Sequence, residues 1–384
     1  MISFVNRFKP CASCKNILGS IRIKLFVVIS FKCVNRHQRL EMNLVARVNV
    51  GVNGYGVIGK RVADAVALQR DMKLVGISDV IADYRIQVAM EKGFPIYAST
   101  KDAVSNMRNG GIKVNGTLDD LLKRVDVIVD CTPAGIGAKN RPVYQKAGVK
   151  AIFQGGEKHD LVDASFVAQC NYEQALGKDL IRVVSCNTTG LCRVLGSIDQ
   201  EHGIKKARAV LFRRATDPWE SHKGGIINTV VPEIHVPSHQ GPDAQTVIPE
   251  LNVVTMAAKG PYTISHIHFV MVEMKDPVLI EEVIDTLAKA PRILLIKASD
   301  GLQGLNSVIE LMRDLGRPRG DLWEVAVWED IASVVEDELY LTYQVHNESI
   351  VVPENIDAIR AATELERNGM RSIRKTNEAL GIVK

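Results

Sequence analysis

Cys186 lies in the run Arg182-Val183-Val184-Ser185-Cys186-Asn187-Thr188-Thr189-Gly190, where a short apolar strand meets small polar residues that begin a helix. A thiol at a helix start faces unpaired backbone N–H groups and the positive end of the helix dipole. Both favour the thiolate, the form that attacks a carbonyl carbon. Well upstream, Asn53-Gly54-Tyr55-Gly56-Val57-Ile58-Gly59-Lys60 spells G-x-G-x-x-G between a strand and a helix. In that pattern Gly54 permits the tight turn, Gly56 lets the backbone approach a pyrophosphate and Gly59 allows close helix–strand packing. A nucleophilic sulfur beside a hydride acceptor points to oxidation of an aldehyde through a covalent thioester.

Other residues could serve that chemistry. His266 and His268 alternate in Ile264-Ser265-His266-Ile267-His268, so strand geometry puts both on one sheet face. Either could stand beside Cys186 and move the proton, and a structural role for the other is expected. Asp79 ends the second strand, where an acid bonds the adenosine ribose hydroxyls and repels a 2′-phosphate. NAD is therefore expected over NADP, with a turn cap as the alternative role for Asp79. Arg213 and Arg214 close a strand and could hold phosphate oxygens or the cofactor, or remain solvated. The turn-rich loop Pro237–Asp243 could present His239 and Gln240 to an anion. Cys131, in the run Asp130–Gly135 after another strand, reads as packing.

The elements that position these groups alternate strand and helix from Ala46. Val48–Val52 reads as a buried strand, Ile58–Gln69 as a helix, then Leu74–Ile77, Val125–Asp130 and Ala151–Phe153 as strands. That order implies a parallel, doubly wound sheet. After Cys186 come longer β-rich runs at 207–212, 264–274, 323–327 and 340–346, with helices near 278–287 and 307–315. The fold class is α/β: a Rossmann domain over 42–184 and an α+β catalytic domain over 185–351 with a mainly antiparallel sheet. The closing stretch Glu354–Leu380, within 352–384, reads as one amphipathic helix rejoining the first domain.

Bulk properties set the limits. The 384 residues suffice for two domains with ample core. A net charge of +4, with no basic stripe interleaved with aromatics, gives no reason to expect nucleic acid as a partner. Seven scattered cysteines fit a reducing compartment, and Cys11-x-x-Cys14 lacks a second pair for zinc. No metal is expected. Residues 1–41 are basic, with no acid before Glu41, and their apolar stretch Leu25–Ile29 is far short of a bilayer span. They are expected to lie outside the fold, with Met42 as the start of the functional chain; a targeting peptide is the alternative. The cytoplasm is the expected compartment, with no membrane association.

From about Val48 to the C-terminus the chain resembles the archaeal-type phosphorylating glyceraldehyde-3-phosphate dehydrogenases. The resemblance rests on Asn53–Ala65, Asp130–Asn140, Phe153–His159 (FQGGEKH), Ser185–Arg193 (SCNTTGLCR), Pro237–Asp243 and Val352–Ala361. It implies Cys186 as nucleophile and His266, rather than His268, as base. Ser185, Asn187, His239 and Gln240 would contact substrate, beside the anion-binding Arg213 expected from its charge at the strand end. Gln240 departs from the histidine usual at its position. Val57, Ile58, Gly156, Arg214 and Asn347 match cofactor positions, joining Gly54, Gly56, Gly59 and Asp79. Where many members have Ser-Lys-Thr and accept NADP, this chain has Ser78-Asp79-Val80. The resemblance further implies a homotetramer that acts on triose phosphate and inorganic phosphate in glycolysis or gluconeogenesis. The rival readings are a semialdehyde or acyl-phosphate reductase and a non-catalytic NAD-binding sensor.

Overall fold

The computed structural model describes residues 47–382, so the expectations about residues 1–41 and the Cys11/Cys14 pair fall outside it. The first half of the described chain forms an eight-stranded sheet in the order β4-β3-β2-β1-β5-β6-β8-β7. Its strands are β1 Val48–Asn53, β2 Met72–Asp79, β3 Ile96–Ala98, β4 Val114–Thr117, β5 Val127–Asp130, β6 Lys150–Phe153, β7 Ala164–Phe166 and β8 Leu180–Val183. Every pairing in it is parallel. The order reverses between β1 and β5, and ligands of such sheets bind in the crevice beyond the strand ends at that point. Helix α1 (Val57–Leu68) opens directly from the glycine loop that follows β1.

A second eight-stranded sheet follows helix α2 (Cys186–His202). It comprises β9 Ile204–Arg214, β10 Val231–Pro232, β11 Val253–Gly260, β12 His266–Met274, β13 Ile293–Ile296, β14 Val325–Trp328, β15 Ser333–Val335 and β16 Glu338–Val345. Only β9–β11 and β13–β14 run parallel; the other pairings are antiparallel. The sequence reading holds no strand at β11, although its buried positions alternate as a half-buried strand requires. Helix α3 (Gln240–Gln245) sits in the 237–243 loop, and α4 (Ile280–Lys289) and α5 (Leu305–Asp314) stand close to their expected places.

The C-terminal stretch corrects the sequence reading. It is two helices, α6 (Val352–Ala362) and α7 (Gly369–Leu380), not one. Between them Glu364 takes a left-handed backbone, and the Asn368 side chain caps α7 by accepting from the Arg371 N–H at 2.8 Å. Helix α6 is buried on all sides rather than amphipathic, because its charged residues find buried partners. Arg360 pairs with Asp71 at 2.8 Å, and Asp357 and Glu354 pair with Arg292 at 2.5 and 3.0 Å. One apolar core runs continuously through both sheets, from Val50 and Val129 to Tyr343 and Val345, and includes Ile356 and Ile359 of α6. Among the described residues no helix is long and apolar enough to cross a membrane.

Candidate active site

Strand β8 ends at Val183, and two residues later Ser185 caps α2, its hydroxyl accepting from the Thr188 N–H at 3.4 Å. Cys186 is thus the first residue of the helix. The turn is tight because Gly155 presses on it: a Cβ at Gly155 would lie 2.2 Å from the Ser185 backbone nitrogen. His266 opens β12, and its Nε2 stands 3.3 Å from the Cys186 Sγ. The opposite ring nitrogen, Nδ1, accepts the Arg214 backbone N–H at 3.0 Å. Ser265, just before, has φ +70° and is held by the Asn347 Oδ1, which accepts its N–H at 2.8 Å.

The ambiguity between the two histidines is resolved by position. His268 lies two residues along, on the same face, where its Nε2 meets the Asn187 Oδ1 at 2.9 Å and its ring packs on Tyr343. It orients Asn187 rather than the sulfur.

The electrostatics depart from the sequence expectation. Burial pushes the Cys186 thiol above its ordinary value. The Arg214 and Arg213 guanidiniums and the N–H groups of Asn187 and Cys186 pull it down without winning. A helix start alone therefore does not make this sulfur a resting thiolate. Burial, then the charges of Arg214, His268, Arg213 and His346, hold His266 far below the usual histidine range, so the ring is neutral. Alkylation of Cys186 by iodoacetamide in the cofactor-free protein should accelerate with pH, with its midpoint above the ordinary thiol value of about 8.5. A midpoint below that value would show that the N–H groups and guanidiniums prevail.

The loop at 237–243 is fastened to the start of α2. Asp243 accepts from the Thr188 hydroxyl at 2.9 Å and pairs with Arg182 of β8 at 2.5 Å. His239 and Gln240 are not presented together. His239 is exposed, whereas Gln240 is fully buried with both amide atoms lacking a protein partner. Arg213 is ion-paired to Glu233, and Arg214 to Asp217 at 2.5 Å. Asn347 is engaged at both ends, its Nδ2 donating to the Asp217 Oδ1 at 3.2 Å. Arg214 and Asn347 therefore meet on Asp217 beside the Cys186–His266 pair.

The nucleotide residues gather at the C-terminal ends of β1, β2 and β5. Gly54 has φ +90°, and a Cβ on Gly59 would come within 1.8 Å of the Gly54 carbonyl oxygen. At Gly56 the case is different: a Cβ there would meet no protein atom within 4 Å. That open space beside the backbone leaves room for a pyrophosphate to approach it. Helix α1, begun by Val57 and Ile58, has no side-chain cap and no acid in its first turn, leaving its N–H groups for phosphate oxygens. Gly156 abuts Ala134 of the loop after β5, where a Cβ would sit 3.0 Å from the alanine Cβ. Asp79 is more engaged than expected. It accepts N–H bonds from Tyr55 at 2.7 Å, Val80 at 2.6 Å and Ile81 at 3.3 Å, so it also braces the glycine loop. These residues fit a dinucleotide.

Residues 185–316 match the family model described as glyceraldehyde 3-phosphate dehydrogenase, C-terminal domain. Over 337 residues the chain is 51% identical to a glyceraldehyde-3-phosphate dehydrogenase of Methanobacterium bryantii, covering 87% of this chain and 99% of that one. The chain belongs to the glyceraldehyde-3-phosphate dehydrogenase family. A second family member, from Methanothermobacter thermautotrophicus (strain ATCC 29096 / DSM 1053 / JCM 10044 / NBRC 100330 / Delta H), is 50% identical over 88% of this chain and all of its own. Among solved structures, aspartate semialdehyde dehydrogenase II of Vibrio cholerae superposes with a TM-score of 0.57 over 83% of this chain and 98% of that one. At 16% identity that likeness shows the fold alone.

Two supports of this glyceraldehyde-3-phosphate dehydrogenase family site, and one contact outside it, escape sequence reasoning. Gly155 is one, visible beforehand only as half of a glycine pair. Glu157 is another: its carboxylate accepts the N–H groups of Gly135 and Gly137 at 2.8 and 3.1 Å, tying down the loop after β5. The third is Trp219, whose ring lies 4.9 Å from the Arg85 guanidinium and 5.1 Å from the Lys223 ammonium. No local pattern links a tryptophan after β9 to an arginine beyond β2.

The structure also sharpens the consequence of Asp79 for family members that differ there. Asp79→Lys should shift the NADP-to-NAD ratio of kcat/KM upward by about tenfold or more, equivalent to about 1.4 kcal/mol. Because lysine cannot accept the Tyr55 N–H, KM should rise for both cofactors. An unchanged ratio would place the ribose away from this carboxylate.

Proposed function

We infer that this chain catalyses the phosphorylating oxidation of D-glyceraldehyde 3-phosphate to 1,3-bisphosphoglycerate, with reduction of NAD and, less favourably, NADP. The observation that carries the reading is the 3.3 Å approach of the Cys186 sulfur to His266 Nε2. That pair stands beyond the end of a parallel sheet whose glycine loop fits a dinucleotide. Cys186 attacks the aldehyde carbon, and the carbonyl oxygen comes to rest near His266. A bound nicotinamide supplies the acceptor for the substrate hydride. The thioester left on Cys186 is then opened by inorganic phosphate, which releases the acyl phosphate.

The chain's own residues have distinct tasks in this scheme. Ser185 holds the helix start at which the sulfur sits, and Asn187, oriented by His268, offers its amide to the substrate. His239 and Arg213 receive the anionic ends, and Gln240, fully buried, supports the helix start next to His239. Asp79, the glycine loop from Gly54 to Gly59, Gly156, Arg214 and Asn347 hold the cofactor. Residues 42–184 with the helices of 352–384 form the nucleotide domain, and residues 185–351 the catalytic one. A homotetramer in the cytoplasm, acting on small molecules in glycolysis or gluconeogenesis, completes the proposal. The likeness to a semialdehyde dehydrogenase supports the shared plan of the fold and favours no second reading.

The test is an assay of the purified chain with triose phosphate, inorganic phosphate and each cofactor in turn. Phosphate-dependent NADH formation and an acyl adduct on Cys186 are expected. Activity on a phosphorylated aspartate or glutamate derivative, with none on triose phosphate, would replace this reading.

A further inference from the structure

Arg61 stands in the second turn of α1 and is buried. Its guanidinium donates in three directions: Nη1 to the Val57 carbonyl oxygen at 3.0 Å, Nε to Asp321 Oδ1 at 2.7 Å and Nη2 to Glu348 Oε2 at 2.6 Å. Val57 is the first residue of α1, so the cation is held at the end of the helix that faces the glycine loop. The two acids come from beyond the first sheet. Asp321 precedes β14 and Glu348 follows β16. The 319–321 segment has a second bond to α1, since Arg319 pairs with Asp64 at 2.8 Å. The 347–348 segment reaches α1 through Glu348. A planar fork with fixed donor directions suits this shared arrangement, which a lysine could not reproduce.

Glu348 is the chain neighbour of Asn347, whose side chain holds the Ser265 N–H at 2.8 Å and Asp217 at 3.2 Å. The glycine loop and Asn347 therefore belong to different sheets, yet they are read above as holders of one cofactor. The loop and the start of α1 take its pyrophosphate, and Asn347 stands at the reactive end beside Cys186 and His266. Two such holders align a hydride acceptor with the substrate only if their separation is fixed. A displacement of about 1 Å at the reacting atoms can cost about 10²-fold in rate. Resting on those cofactor assignments, we propose that Arg61 and Glu348 are positioning residues for hydride transfer. Their buried bond sets the distance between the pyrophosphate end of α1 and Asn347. Asp321 steadies the guanidinium from the other side, on a segment that Arg319 already fastens. Neither Arg61 nor Glu348 touches the reacting atoms, so their loss alters alignment and leaves the chemistry of Cys186 as it was.

Three variants of the full chain test this at about pH 8, where Asp321, raised by burial to about 6, is ionised. Glu348→Ala should slow single-turnover hydride transfer from triose phosphate by about tenfold or more, while NAD affinity changes by less than about threefold. Glu348→Gln keeps an oxygen that accepts from Arg61, and it should recover at least about threefold of that loss. Asp321→Asn strips the same charge from Arg61 but leaves the Asn347 segment alone. Its hydride transfer should stay within about threefold of wild type. Equal losses in Glu348→Ala and Asp321→Asn would make the cation a structural tie only and overturn the proposal. So would a lack of recovery in Glu348→Gln, or NAD affinity falling in step with the rate. Should Glu348→Ala not fold, a greater loss in Glu348→Gln than in Asp321→Asn carries the same comparison. If the wild-type protein passes no hydride from triose phosphate to NAD, the activity reading fails. If it does, and Glu348→Ala keeps the wild-type rate, only the positioning role fails.

Discussion

Replacing Cys186 with serine should abolish the acyl-enzyme and lower kcat by roughly 10⁴-fold or more, the scale on which loss of a nucleophile acts. A serine hydroxyl stays un-ionised at any working pH, and the neighbourhood of residue 186 makes matters worse, since burial already raises the thiol. Nothing near the sulfur provides a strong base to compensate: His266 is held neutral and His268 is occupied with Asn187. The glycine loop and Asp79 belong to other elements, so NAD affinity should change by less than about threefold, or 0.7 kcal/mol. Intact-mass analysis after mixing with triose phosphate and NAD reads the first effect, and fluorescence titration reads the second. Wild-type turnover in the serine variant would remove Cys186 from the chemistry.

Glu354→Gln should cost about 3–5 kcal/mol of stability, because it leaves the buried Arg193 guanidinium without its carboxylate and takes one of two from Arg292, which keeps Asp357. Glu354 is 1% exposed, and its Oε1 meets Arg193 at 2.5 Å and Arg292 at 3.0 Å. Its Oε2 accepts the Ala168 N–H at 2.6 Å. Burial by itself would raise this carboxyl, but Arg193 and Arg292 prevail and hold it below the usual carboxylate value. A depressed value means the stabilisation is complete above the unfolded-state pKa and is lost as pH falls through the folded one. Acid should therefore weaken the wild-type protein more than the glutamine variant, narrowing the gap between them. Urea unfolding of both proteins at neutral and acidic pH measures this, provided the slopes agree. A difference under about 1 kcal/mol at neutral pH would mean that Arg193 finds another partner.

The glycine loop, the parallel sheet and the nucleophile at a strand-to-helix turn could be read from the chain because each rests on local spacing. Period-2 alternation correctly placed His266 and His268 on one face. Which of them meets the sulfur depends on how far β12 extends past α2, a relation between segments eighty residues apart. The thiol shows a similar limit. A helix start can be recognised from neighbours in sequence, whereas the burial that outweighs it comes from distant elements packed around it. Helix α6 shows the same limit: Glu354, Asp357 and Arg360 look like a solvated face, yet their partners are Arg193, Arg292 and Asp71. The short strands β3, β4 and β13 carry three or four residues each, too few for a periodic signal.

Arg193 belongs to the helix that begins with Cys186, and it also donates to the Trp323 and Ile350 carbonyl oxygens at 2.8 and 3.1 Å. Through Glu354 it reaches α6, which packs against β6 and β8. The helix bearing the sulfur is in this way riveted to both sheets at one buried cation. Separating these segments from α2 would break buried bonds to that cation. The reacting sulfur is thus held in register by bonds made about two helical turns further along its own helix.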